Sequence, residues 1–133
     1  MSIHDILISG RKAKLPDLDR KPNKNNAVVT EVDGWRFASK LEAARYGELK
    51  LLQAAGKITH LRLQPRFELL PALIVKGEKL RKVEYVADFS YTEDGKLVVE
   101  EVKGRELAMW RLKRSMFLRK YSDSHELRVI KKQ

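Results

Sequence analysis

Residues 83–104 constrain this chain more than any other stretch. Val83 to Tyr91 and Leu97 to Gly104 are rich in β-branched and aromatic residues, and Thr92-Glu93-Asp94-Gly95-Lys96 joins them. An Asp-Gly pair between two such flanks is a strong hairpin signal, so both flanks read as strands of one antiparallel pair. Side chains alternate faces along a strand, which puts Glu101 and Lys103 on one side and Glu100 and Val102 on the other. Asp88 lies one hairpin away, on the opposite strand and within reach of that face. Two carboxylates can hold a divalent cation, and a lysine beside them can orient a water or stabilise developing negative charge. Phosphodiester hydrolysis has those requirements. An ordinary cross-strand salt bridge explains the same residues, and on this motif alone the two readings are even.

The remaining elements follow from turn and cap chemistry. Ala27–Val32 and Trp35–Phe37 read as a hairpin around Asp33-Gly34. Ser39 opens a helix that runs to about Ala55, with Gly56 as its stop. Leu61–Gln64 and Arg66–Leu70 are strand-like on either side of Pro65, and Lys76 to Lys79 is a polar turn. A second helix is expected over about Glu106–Tyr121 and a closing strand over His125–Ile130. The order implies an α/β or α+β domain around a mixed central sheet. Residues 1–26 read as a flexible basic arm and 27–133 as the domain proper, with Met1 to Ser9 left without an assigned element.

The formal net charge of +10 is unevenly spread. Residues 1–26 contribute +3, residues 105–133 contribute +6, and the long middle only +1. Positive charge therefore flanks the acid-lysine cluster, which favours a polyanionic partner. The chain has no cysteine, so disulfides and thiolate zinc sites are excluded. No apolar run approaches membrane-spanning length and no secretory segment is present, so a soluble, cytoplasmic protein is expected.

Other residues are candidates with bland alternatives. Glu42 forms a capping-box pattern with Ser39, yet it shares a helix row with Tyr46 and Leu49 that should lean on the sheet, from where it would reach the acids. Gln64 either satisfies a strand break at Pro65 or contacts a phosphate. The second helix carries Arg105, Arg111, Lys113, Arg114, Arg119 and Lys120 with Glu106 as its one acid, a face suited to a phosphate backbone. In the arm, Arg11, Lys12 and Lys14 would serve the same purpose. His4, His60 and His125 are scattered and suggest no cluster.

Four segments together form a wider pattern: Ser39-Lys40-Leu41-Glu42-Ala43, Leu63 to Leu69, Tyr85 to Tyr91, and Val99-Glu100-Glu101-Val102-Lys103-Gly104. With Trp110 to Arg114, they resemble a phage-associated family of formerly unknown function. That family is similar to a branch of the PD-(D/E)xK nuclease superfamily, akin to phage Holliday-junction resolvases. The resemblance spans about Phe37 to Tyr121, and Ala87 stands where the superfamily's proline would be. It implies a restriction-endonuclease-like core and DNA cleavage dependent on Mg²⁺, with Mn²⁺ as a substitute. Asp88, Glu101 and the Val102 carbonyl would be metal ligands, Glu42 would join them, and Lys103 would be the catalytic lysine. It also implies branched DNA as substrate, a homodimer for paired cuts, and no organic cofactor. A nuclease for single strands, flaps or linear ends and a non-catalytic basic DNA-binding module are the alternatives. In the nuclease reading, strand alternation makes Glu101→Gln inactive and Glu100→Gln nearly as active as wild type.

Overall fold

The computed structural model describes residues 7–8, 29–103 and 106–131. In chain order the elements are β1 (Leu7–Ile8), β2 (Thr30–Val32), β3 (Trp35–Phe37), α1 (Lys40–Ala54), β4 (Thr59–Leu63), β5 (Arg66–Leu70) and β6 (Leu73–Val75). They continue with β7 (Glu78–Leu80), β8 (Val83–Val86), β9 (Phe89–Glu93), β10 (Lys96–Lys103), α2 (Ala108–Tyr121) and β11 (His125–Lys131).

Local chemistry sets most of these boundaries. Three hairpins turn on a residue-glycine pair in which both φ angles are positive: Asp33-Gly34, Lys76-Gly77 and Asp94-Gly95. Such turns match the right-handed twist of the strands they join. Lys76-Gly77 alone makes the second turn. Glu78 and Lys79, expected in that turn, instead begin β7 and pair with β6. The Ser39 hydroxyl accepts from the Glu42 N–H at 3.1 Å, capping α1, and Gly56 at φ 76° ends it. Of the N-terminal arm only Leu7–Ile8 are described; they pair with β4 at the sheet edge.

The central sheet has the order β1-β4-β9-β10-β11. The outer pairs β1–β4 and β10–β11 are parallel, and β9 runs antiparallel to both its neighbours. This is the expected mixed sheet with two helices. Alternation along β10 separates two cores. Val98 and Val102 pack with Tyr46 and Leu49 of α1, while Val99 packs with Trp110 and Phe117 of α2. The helices therefore cover opposite faces, and β10 is buried on both.

The stretch Val83–Tyr91 is two strands instead of the one expected. β8 pairs with β5 outside the main sheet, and β9 pairs with β4 and β10 within it. The break comes at Ala87-Asp88, directly across from a break at Gln64-Pro65. Pro65 has no N–H for a ladder, and Gln64 sits at φ 53°. The two chains stay tied through the bend: Gln64 N–H donates to the Asp88 carbonyl at 2.9 Å and Ala87 N–H to the Pro65 carbonyl at 3.0 Å. The break frees Asp88 from regular pleating at the end of the sheet.

Candidate active site

The end of the sheet where β4 and β10 finish and β9 begins gathers most of the suspected residues. Asp88 carries its side chain into the gap beyond the last β9–β10 pair, Phe89 with Glu100. Its Oδ2 accepts from the Val102 N–H at 2.7 Å, so the lone aspartate is fastened to the middle of Glu101-Val102-Lys103. A strand residue directs its N–H and C=O towards the same edge, so the Val102 carbonyl faces Asp88's side as well. Glu101 points to the α2 face, where its Oε2 accepts from the Tyr85 hydroxyl at 2.6 Å and its Oε1 lies 3.1 Å from Lys103 Nζ. The Lys103 ammonium also rests over the Trp110 ring, 5.1 Å from its centroid.

Glu42 arrives from the first turn of α1, above Tyr46 and Leu49 on the buried row. With Asp88, Gln64 and Arg36 it lines a cavity of about 20 Å³. Such a volume admits about one water or one small ion. Arg36 holds a buried guanidinium nitrogen, Nη2, without a partner among the described residues. Gln64 thus belongs to the site, held there by the strand break that its backbone helps to form.

The charges here are poorly compensated. Burial, and then the nearby Glu42 and Glu101 carboxylates, push Asp88 well above the usual carboxylate range, against the Val102 hydrogen bond and Lys103. Burial likewise raises Glu101, opposed by Tyr85 and Lys103. Glu42 is raised to about 6, chiefly by burial, with Glu101 adding to the rise and the Ala38 backbone and Lys103 opposing it. Each of the three acids resists ionising here, a cost that a nearby cation would lower.

The donor set fits a small hard cation. Asp88, Glu101, Glu42 and the Val102 carbonyl offer oxygen only, which suits Mg²⁺ or Mn²⁺. Among the described residues no three His, Asp or Glu side chains form a ready cage. Mg²⁺ typically takes one or two protein carboxylates and keeps several waters, so a partial set is in keeping with it.

These shifts carry a stability consequence. A carboxyl whose pKa is raised on folding favours the folded state while protonated, and that contribution is lost as pH rises through the folded value. For Glu42 the window lies between its ordinary 4.5 and about 6, and the shift is worth on the order of 2 kcal/mol. Glu42→Gln should therefore melt several degrees above wild type at neutral pH in EDTA, with the difference closing below the window. Thermal melts at both pH values check this. A lower melting temperature at neutral pH would make Glu42 a helix-capping residue first.

Sequence reasoning missed three neighbours. Tyr85 and Trp110 lie in segments that carry the family resemblance but were given no role, and nothing local tied them to Glu101 and Lys103. Glu100, expected only to face away from Glu101, is fully buried on the α1 face. Arg45 grips it with Nε at 2.8 Å and Nη2 at 2.6 Å, and the Tyr91 hydroxyl donates to it as well. Its alternation away from Glu101 is as expected, and a buried carboxylate with such partners is part of the core.

The basic candidates are placed unevenly. Arg111 and Arg114 are exposed on α2 and Lys113 is half-buried; Arg111 approaches Glu106 at 3.8 Å. Arg105, Arg11, Lys12 and Lys14 lie outside the described residues. No described helix is long and apolar enough to cross a membrane.

Residues 22–133 match the family described as a protein of unknown function, DUF1064, and the chain belongs to that family. No curated protein and no solved structure matches the chain.

Proposed function

For a member of a family without an assigned activity, we propose a metal-dependent DNA endonuclease of the PD-(D/E)xK type, acting on branched DNA. The observation that carries this reading is the 2.7 Å bond from Val102 N–H to Asp88, which joins the aspartate to the Glu101-x-Lys103 unit at one end of the sheet. The mixed sheet between two helices is compatible with a restriction-endonuclease-like core. The excess positive charge supports a polyanionic substrate.

Each residue has a distinct task in this reading. Asp88, Glu101 and the Val102 carbonyl would hold Mg²⁺ or Mn²⁺, with Glu42 completing the set. When bound, the cation supplies charge neutralisation at the scissile phosphate. Lys103, steadied by Glu101 and the Trp110 ring, presents an ammonium that orients the attacking water. Tyr85 donates to one oxygen of Glu101 and fixes that carboxylate's rotamer. Arg36 and Gln64, which line the cavity beside Glu42 and Asp88, would serve as donors for a phosphate oxygen. The exposed α2 arginines hold the DNA backbone without reading sequence.

The test presents purified protein with four-way junction, flap, single-stranded and linear duplex DNA in Mg²⁺, Mn²⁺ or EDTA. Cleavage confined to the metal lanes and strongest on the junction is expected, from a dimer by light scattering. A monomer that cuts linear or single-stranded DNA equally well would remove the resolvase assignment and keep the nuclease. One observation favours a non-catalytic DNA-binding module: Glu101 is already satisfied by Tyr85 and Lys103 as a structural ion pair. Tight binding indifferent to metal, with no cleavage of any substrate, would establish that reading instead.

A further inference from the structure

We propose that a concavity on the α2-side face of the sheet, beside β4, is a subsite for an unpaired polynucleotide strand, with Arg62 as its phosphate ligand. The proposal rests on reading the protein as one that acts on nucleic acid, and it adds where a strand would run. α2 covers Val99 and the β5–β8 pair, leaving the β4–β9 part of that face without a helix over it. The depression there has a volume of about 430 Å³, in the range of small-ligand sites.

Its floor follows from strand register. Arg62 sits opposite Ser90, and Thr92 opposite Leu97, so a guanidinium and two hydroxyls share one face. Arg66 and Phe67 of β5 form a wall, and no carboxylate lines the depression among the described residues. Arg62 has no ion-pair partner among the described residues. Arg66, by contrast, is engaged by Glu84 at 3.5 Å.

The backbone is shaped at the same spot. The β4–β9 register shifts between Thr59 and Arg62, and His60 within that bulge adopts φ 57°. A bulge re-aims the side chains around it, and a non-glycine residue in the left-handed region costs energy that the surrounding structure must supply. An uncompensated arginine, hydroxyl donors and an aromatic wall match the phosphate, sugar and base of one nucleotide. A paired duplex keeps its bases stacked inside and offers no such free unit to the depression. The site also adjoins the proposed catalytic end: Ser90 of β9 lies two residues along the chain from Asp88.

The experiment measures fluorescence anisotropy of a short fluorescein-labelled oligothymidylate, and of a duplex of equal length, in EDTA. Arg62→Glu should weaken single-strand binding about tenfold and duplex binding far less, with Arg62→Gln intermediate. Lys57→Glu, the same charge change at an exposed turn, should alter neither by more than about twofold. Equal losses for single strand and duplex, or an Arg62→Glu protein indistinguishable from Lys57→Glu, would overturn the subsite. Circular dichroism confirms that the exposed substitutions leave the fold intact. If no DNA is ever cleaved yet Arg62→Glu selectively loses single-strand binding, the nuclease reading fails and the subsite stands. If metal-dependent cleavage is intact and Arg62 is neutral, the subsite alone fails.

Discussion

Asp88→Asn and Lys103→Ala should each lower Mg²⁺-dependent cleavage by about 10²- to 10³-fold, or further, while DNA affinity in EDTA changes little. Losing one preorganised charge from a reacting centre typically has that cost. The asparagine keeps an oxygen to accept from Val102 N–H, so the break between β8 and β9 is preserved and only the negative charge is lost. Burial, and then the Glu42 and Glu101 carboxylates, disfavour the charged form of Asp88, so Asp88→Asn should also melt higher than wild type in EDTA. Added Mg²⁺ should raise the melting temperature of wild type and leave the variant nearly unmoved. Lys103→Ala removes the partner of Glu101 and the cation over Trp110, both local contacts. Single-turnover cleavage with excess enzyme, alongside anisotropy, separates chemistry from binding. Retained cleavage in Lys103→Ala would remove lysine from the mechanism, and affinity that collapses in Asp88→Asn would contradict the division between site and basic surface.

Glu100→Ala should be the most destabilising single change near the site. It would strand the Arg45 guanidinium, which approaches Glu100 through two nitrogens, and deprive the Tyr91 hydroxyl of its acceptor. Breaking a buried pair from one side costs about 3–5 kcal/mol, a large share of the roughly 5–15 kcal/mol that holds a domain together. The melting temperature should fall by roughly 10 °C or more. Arg45 keeps Glu48 at 2.8 Å on its exposed side, which limits the loss. Glu100→Gln, similar in shape but neutral, should fall between wild type and alanine and retain metal-dependent cleavage once folded. Glu101→Gln should show the reverse, a stable protein without cleavage. The double variant Arg45→Leu/Glu100→Leu should recover part of the stability lost in Glu100→Ala, since no charge is left stranded. A Glu100→Gln protein that is stable and inactive would move the metal-binding acid to position 100.

Several features of this molecule are decided within a few residues of chain, and those were legible from sequence. Each residue-glycine pair needs two positive φ angles, so Asp33-Gly34 and Asp94-Gly95 specify turns whatever surrounds them. Ser39 starts α1 by a bond across three residues, and Gly56 ends it where left-handed backbone is required. Strand alternation likewise separates Glu101 and Lys103 from Glu100 without reference to the rest of the fold. The face of β10 on which each acid lies was therefore readable.

What each acid touches was decided by the tertiary structure. Arg45 and Glu100 lie 55 positions apart, and no local pattern links them; only α1 packing across β10 turns a strand glutamate into a core ion pair. Val83–Tyr91 reads as one strand because its composition is uniform. Its break at Asp88 follows from Pro65 and Gln64 on the opposing strand, where a missing N–H and a positive φ bend both chains together. Tyr85 and Trp110 reach Glu101 and Lys103 only because α2 and β8 share the second core. Turns and caps depend on backbone geometry that a few residues determine, whereas burial and pairing depend on which surfaces the folded chain brings face to face.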